Sequence, residues 1–199
     1  MELQDIVHNG GHNTPGMKQK IWFAQVSDID ETQFPTTVVT DPLSVTGNFA
    51  DLATVVENIV MKEGKRFYSM YVSMDRGSLN HEVQGGSDSK NMLGTLEFFH
   101  PGSKAEILGF WDWVANNNMV FIIQEKDGTK RLFGSPDDPA KLTGGSTPNG
   151  PEASGEKGNI FTFNVNRSGP TPIFTGNVDL QGSGYESGDP DDFQTLYNT

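Results

Sequence analysis

The sequence predicts a mainly β domain with a single α-helix, and three observations predict it. Short runs of aromatic and β-branched residues recur along the chain, with turn residues between them. The 23 glycines and 11 prolines among 199 residues require many turns and long loops. Only one segment combines helical periodicity with start and stop signals. The length fits one domain with at most a small appendage. A chain of this size can bury roughly 70% of its unfolded surface and needs no covalent staple. Hydrophobic residues make up 34% of it, so the core should be modest.

Residues 1–17 read as a flexible arm, because Gly10, Gly11, Pro15 and Gly16 break any regular pattern. Lys20–Val26 is the first strand, followed by a turn-prone acidic stretch over Ser27–Glu31. Phe34–Thr40 is β-branched but contains Pro35, which predicts an edge strand or an extended loop. Between Phe49 and Met61 the spacing of Leu52, Val55, Val56 and Ile59 is helical, while the β-branched content equally allows a strand. Arg66–Met74 is the clearest strand. Tyr68, Met70, Val72 and Met74 share one face; Phe67, Ser69, Tyr71 and Ser73 share the other. Asp75–Ser78 then turns, and Leu79–Gln84 returns as the second arm of a hairpin. Gly85–Lys90 is a mobile polar loop, and Met92–Phe99 is another strand.

Pro101 and Gly102 stop that strand and lead into the helix. Ser103 is the predicted N-cap, with Glu106 at capping-box spacing. Ile107, Phe110, Trp111 and Val114 recur on one helical face, and Asn116–Asn118 ends it. Met119–Gln124 and Thr129–Phe133 form a strand pair around the tight-turn dipeptide Asp127-Gly128. Residues 135–158, rich in Pro, Gly, Ser, Thr and Asn, are a long loop. Asn159–Asn166 is a strand in which Ile160, Thr162 and Asn164 alternate with Phe161, Phe163 and Val165. Pro172–Leu180 carries a last short strand. Residues 181–199, with Glu186, Asp189, Asp191 and Asp192, form a disordered acidic tail. No repeat of fixed period is visible.

The formal net charge is −12. Such a chain repels phosphate backbones and anionic membranes, because gripping either needs clustered Lys and Arg. No apolar run is long enough for a transmembrane helix. The first residues lack a basic region and a signal-length apolar stretch, so the expected compartment is the cytosol. The absence of cysteine excludes a disulfide scaffold, a thiolate zinc site and a Cys nucleophile.

Chemistry-bearing patterns are few. His8 and His12 flank Asn-Gly-Gly, which argues against the helix an i, i+4 metal pair needs. His81 and Glu82 are neighbours on a strand and point to opposite faces, and His100 sits before Pro101 at the approach to the helix. No nucleophile elbow, zincin motif, phosphate loop or dinucleotide fingerprint occurs. Carboxylates are scattered; Asp137-Asp138 and Asp191-Asp192 read as solvated loop acids, though two distant acids brought together could form a glycosidase pair. The expectation is no catalytic site, no metal and no cofactor. Among the tryptophans, Trp111 falls on the apolar helical face, whereas Trp113 lies off it and reads as an interface residue. With two aromatic faces on the Arg66–Met74 strand, Tyr71 and Phe67 join Trp113 as interface candidates.

Taken in order, Gly102–Leu108 (Gly-Ser-Lys-Ala-Glu-Ile-Leu), Val120–Ser135 with its Lys-Asp-Gly-Thr-Lys-Arg-Leu-Phe-Gly-Ser ending, and Pro170-Thr-Pro-Ile-Phe174 resemble the major tail (tail-tube) proteins of bacteriophages, of the group found in phages and prophages of Bacteroidetes. The resembling stretch is Leu93–Leu180, and it is carried by architecture rather than by a chemical signature. It implies a β-sandwich or barrel of two sheets flanked by one α-helix, spanning residues 18–180. It also implies hexameric rings that stack into a virion tail tube assembled in the host cytoplasm. In that family a long hairpin lines the lumen. Carried onto this chain, the hairpin is Arg66–Gln84, with Tyr68, Met70, Ser73, Asp75, Arg76, His81 and Glu82 as lumen candidates. Its inward side chains should be polar or acidic. The implied partners are further copies of the chain and other tail proteins (tape measure, terminator, sheath), with DNA passing through unbound and no membrane. The acidic tail is a departure from the pattern. A negative subunit suits a conduit through which DNA must slide without sticking. Other readings are a tube terminator, a non-catalytic module that stacks carbohydrate or protein on Trp113 or Tyr71, and a paired-carboxylate hydrolase.

Overall fold

The computed structural model describes residue 6 and residues 14–40, 47–149 and 157–180. Most of the expected N-terminal arm, His8 and His12, and the whole expected acidic tail lie outside the described residues. The described chain runs β1 (Met17–Gln25), β2 (Thr54–Val55), β3 (Tyr68–Tyr71), β4 (Gly77–Gln84), β5 (Asn91–Pro101), α1 (Ala105–Val114), β6 (Met119–Glu125), β7 (Lys130–Phe133), β8 (Lys141–Ser146), β9 (Gly158–Arg167) and β10 (Ile173–Phe174). Two sheets result. One has six strands in the order β2-β10-β7-β6-β1-β3; the other has four, β4-β5-β9-β8. The protein is therefore a mainly β sandwich with one helix.

Two apolar clusters hold it together, one on each face of the six-stranded sheet. Ile21, Phe121, Ile123 and Phe133 meet Leu96, Phe98, Phe161, Phe163 and Val165 of the four-stranded sheet to form the sandwich core. Trp22, Ala24, Val120, Ile122 and Leu132 point the other way, where Ile29, Val55, Ile59 and Phe67 cover them. This explains β6: Met119–Ile123 is apolar without alternation because both of its faces are buried. In β9 the alternation is real, since Phe161, Phe163 and Val165 are buried while Ile160, Thr162 and Asn164 are only half-buried.

The main departure from expectation is the hairpin over Arg66–Gln84. β3 pairs with β1 in the six-stranded sheet, and β4 pairs with β5 in the other, so the two segments never pair with each other. The chain changes layer between them. The Val72 N–H still bonds to the Gln19 carbonyl at 2.9 Å, but the next residue, Ser73, already donates to Phe99 of β5 at 2.9 Å. Asp75 makes the corner with a positive φ of 58°. The cause is the strand's double apolar content: Val72 is needed in the sandwich core, Phe67 in the second cluster, and Leu79 back in the first.

Smaller corrections follow the same logic. Ser103 is not the N-cap; that position is Lys104, with no side-chain cap bond, so the capping box does not form. Within the expected loop 135–158, residues Lys141–Ser146 are a strand, because the edge of β9 offers an unfilled ladder that even Thr-Gly-Gly-Ser can satisfy. Neither a helix nor a long strand occupies Phe49–Met61, which holds a 3₁₀ turn (Asp51–Ala53) and the two-residue β2. Phe34–Thr40 is loop, one of the two outcomes expected from Pro35.

Candidate interaction surface

The expected interface and lumen residues divide into groups that the fold treats differently. Trp113 and Tyr68 both lie against Phe23. Tyr68 lies opposite Phe23 in the β1–β3 register, with ring centroids 6.0 Å apart. Phe23 in turn meets Phe110 edge-on at 5.2 Å and Trp113 at 6.5 Å, and Phe110 lies 5.8 Å from Trp113. Four rings thus form one cluster, with Phe23 of β1 linking Tyr68 of β3 to Phe110 and Trp113 of α1. Phe23 and Phe110 are half-buried at its base, while Tyr68 is 45% and Trp113 41% exposed. Burying such rings against a partner would be favourable.

The position of α1 explains this exposure. Its apolar stripe packs down on β9: Trp111 stacks on Phe161 at 4.3 Å and Phe110 meets the same ring at 5.3 Å. Trp113 lies on the flank of that stripe and cannot follow it inward. β3, for its part, is the outer strand of its sheet, so one side of its backbone ladder has no partner strand among the described residues. Tyr71 is 41% exposed but lies on the opposite face of β3 from Tyr68, its hydroxyl accepting from Gln19 Nε2 at 3.0 Å, and Met74 at the corner is 61% exposed. The guanidinium of Arg66 lies 4.8 Å above the Tyr68 ring.

Phe67 does not belong to this surface. It is 1% exposed and sits in the second apolar cluster, because alternation along the strand sends it away from Tyr68. The lumen set is likewise dispersed. Met70 packs against the sandwich core, Ser73, Asp75 and Arg76 form the corner, and His81 turns inward from β4. The Asp75 carboxylate is paired with Lys126, and Arg76 lies over Phe99 at 4.8 Å. Of the seven, Glu82 alone faces outward from the four-stranded sheet. There it lies opposite Leu93 on a mostly polar face with Ser78, Asn80, Glu97, Thr162 and Asn166, set by the β4–β5–β9 register. Sequence reading missed this face because its signal is spread over alternate residues of three separate strands and is interrupted by Leu93, Phe99 and Ile160.

Two depressions are formed by described residues. One open depression of about 520 Å³ is lined by Thr32, Gln33, Phe34, Glu57, Asn58 and Val60. Another, of about 380 Å³, lies between Pro15–Met17 and Gly77–Asn80. No group of three or more His, Asp or Glu residues is placed to hold a metal ion among the described residues. No described helix is long and apolar enough to cross a membrane. Comparison with protein-family models, curated proteins and solved structures found no match.

Proposed function

We propose that this chain is a non-enzymatic structural subunit that self-assembles into stacked hexameric rings, a phage-type tail tube through which DNA passes. The observation that carries the reading is the Tyr68–Phe23–Phe110–Trp113 cluster, exposed beside the outer strand β3. An apolar rim next to an outer strand is the surface that repeated copies of one subunit would bury in a heterologous contact. The polar outer face of the four-stranded sheet, with Glu82 and Glu97, takes the lumen role in this reading in place of the hairpin. With a net charge of −12, the subunit supports passage of DNA without retention. Tape-measure, terminator and sheath proteins would be its partners in the virion tail, and the host cytoplasm its place of assembly.

The same exposed rings favour a second reading, a non-catalytic module that stacks carbohydrate on Trp113 and Tyr68. Negative-stain microscopy of the concentrated protein separates the two. Stacked annuli support assembly; monomers at every concentration, together with saturable binding of a soluble glycan, overturn it in favour of the module.

A further inference from the structure

One partly buried polar contact joins the two sheets at the end of the sandwich. His81 of β4 turns inward, and its Nε2 lies 3.0 Å from the Thr171 backbone nitrogen and 2.7 Å from the Thr171 hydroxyl. Thr171 is 3% exposed. The segment that follows it is fastened to the six-stranded sheet, since Pro172 accepts from the Leu132 N–H at 3.0 Å and Ile173 begins β10. A backbone N–H can only donate, so Nε2 must be the acceptor and the ring proton must sit on Nδ1. The site is shaped for the ring. Gly94 lies directly opposite His81 in the β4–β5 register, and a Cβ there would lie 3.1 Å from Phe133 and 3.7 Å from both His81 Cδ2 and Thr171 Oγ1.

We propose that His81 is an acid-weakened latch between the two sheets: neutral, it accepts the Thr171 N–H and holds β4 to the β10 segment; protonated, it can only donate, so the N–H bond is lost and the Thr171 hydroxyl alone is left as an acceptor. The charged groups around it act in the same direction. Arg131 of β7 and Arg167 at the end of β9 both disfavour an imidazolium at this position. Each arginine has an acid of its own, Glu125 at 3.5 Å from Arg131 Nε and Asp138 acting on Arg167, while Glu82 points to the opposite face of β4. Burial and the two arginines hold the imidazole below its ordinary value of 6.5. The latch therefore stays closed above 6.5 and loosens as pH falls through the lowered folded value.

The test is an NMR titration of the ¹⁵N-labelled full chain from pH 8 to pH 4. The expected result is an unprotonated Nε2 at neutral pH and a His81 midpoint below 6.5. The Thr171 amide should shift with the same midpoint. Amide exchange at Thr171 and Ile173, corrected for its intrinsic pH dependence, should rise up to about tenfold per pH unit in that window, with β6 amides unchanged. His81→Gln, which can accept the same bond but does not titrate, should abolish the step. A ring proton on Nε2, a midpoint at or above 6.5, or a Thr171 amide indifferent to the titration overturns the proposal. The wild-type titration decides it even if the variant does not fold.

Discussion

Asn159 holds the indole of Trp111. Its Oδ1 accepts from Trp111 Nε1 at 2.9 Å, and its own Nδ2 donates to the Gly102 carbonyl at 2.6 Å. Asn159 is fully buried, so one side chain joins β9, the turn before α1 and the middle of the helix. Asn159→Ala would leave the indole N–H and the Gly102 carbonyl without these partners. Unsatisfied buried polar groups are costly, and a loss of about 2–3 kcal/mol is expected from denaturant unfolding. Asn159→Asp should recover only part, because a carboxylate accepts from the indole but cannot donate to Gly102.

Neighbouring aromatic residues should separate stability from association. Phe67→Ala removes a ring that is 1% exposed and should cost about 3–5 kcal/mol of stability. Trp113→Ala, at 41% exposure, should cost about 1 kcal/mol or less while weakening self-association. Thermal unfolding and sedimentation velocity on the two variants check this together. Loss of folding in Trp113→Ala with association unchanged would count against the surface.

Two glycines with similar backbone angles should respond differently to alanine. Gly128 (φ 98°) and Gly134 (φ 94°) both occupy the region that side chains rarely adopt. A Cβ at Gly128 meets nothing within 4 Å, so only backbone strain of about 1–2 kcal/mol is expected. At Gly134 it would lie 2.8 Å from the Met119 carbonyl oxygen and 3.0 Å from the Ala140 nitrogen. Those two groups bond to each other at 2.9 Å, so Gly134→Ala should break that bond and exceed the Gly128 cost in unfolding measurements.

An acid limb should appear at the β6–β7 turn. The Thr129 N–H donates to Asp127 Oδ1 at 2.8 Å, and the hydrogen bonds from Thr129 hold the Asp127 carboxyl below its usual 3.8. A lowered folded value means that the stabilisation is present above 3.8 and is lost as pH falls through the folded value. Asp127→Asn keeps an acceptor for the same N–H without titrating. Its stability should therefore vary less with pH below 4 than that of the wild type when thermal unfolding is followed across this range.

Much of this architecture was legible in the chain itself. The β5, β6, β7 and β9 segments, the Asp127-Gly128 turn and the apolar stripe of α1 follow from periodicity and turn chemistry, which act over a few residues. The exposure of Trp113 followed from the same stripe. What the sequence could not decide is which strand pairs with which. Arg66–Gln84 has every local mark of a hairpin, yet β3 and β4 lie in different sheets, because ladder partners are chosen by where Val72, Phe67 and Leu79 can all be buried at once. That choice also sends Phe67 inward, brings Phe23 beneath Tyr68 and Trp113, and sets His81 against Thr171, ninety residues away. Local propensity acts on each segment alone, whereas burial is shared among all of them, and only the assembled core settles how it is divided.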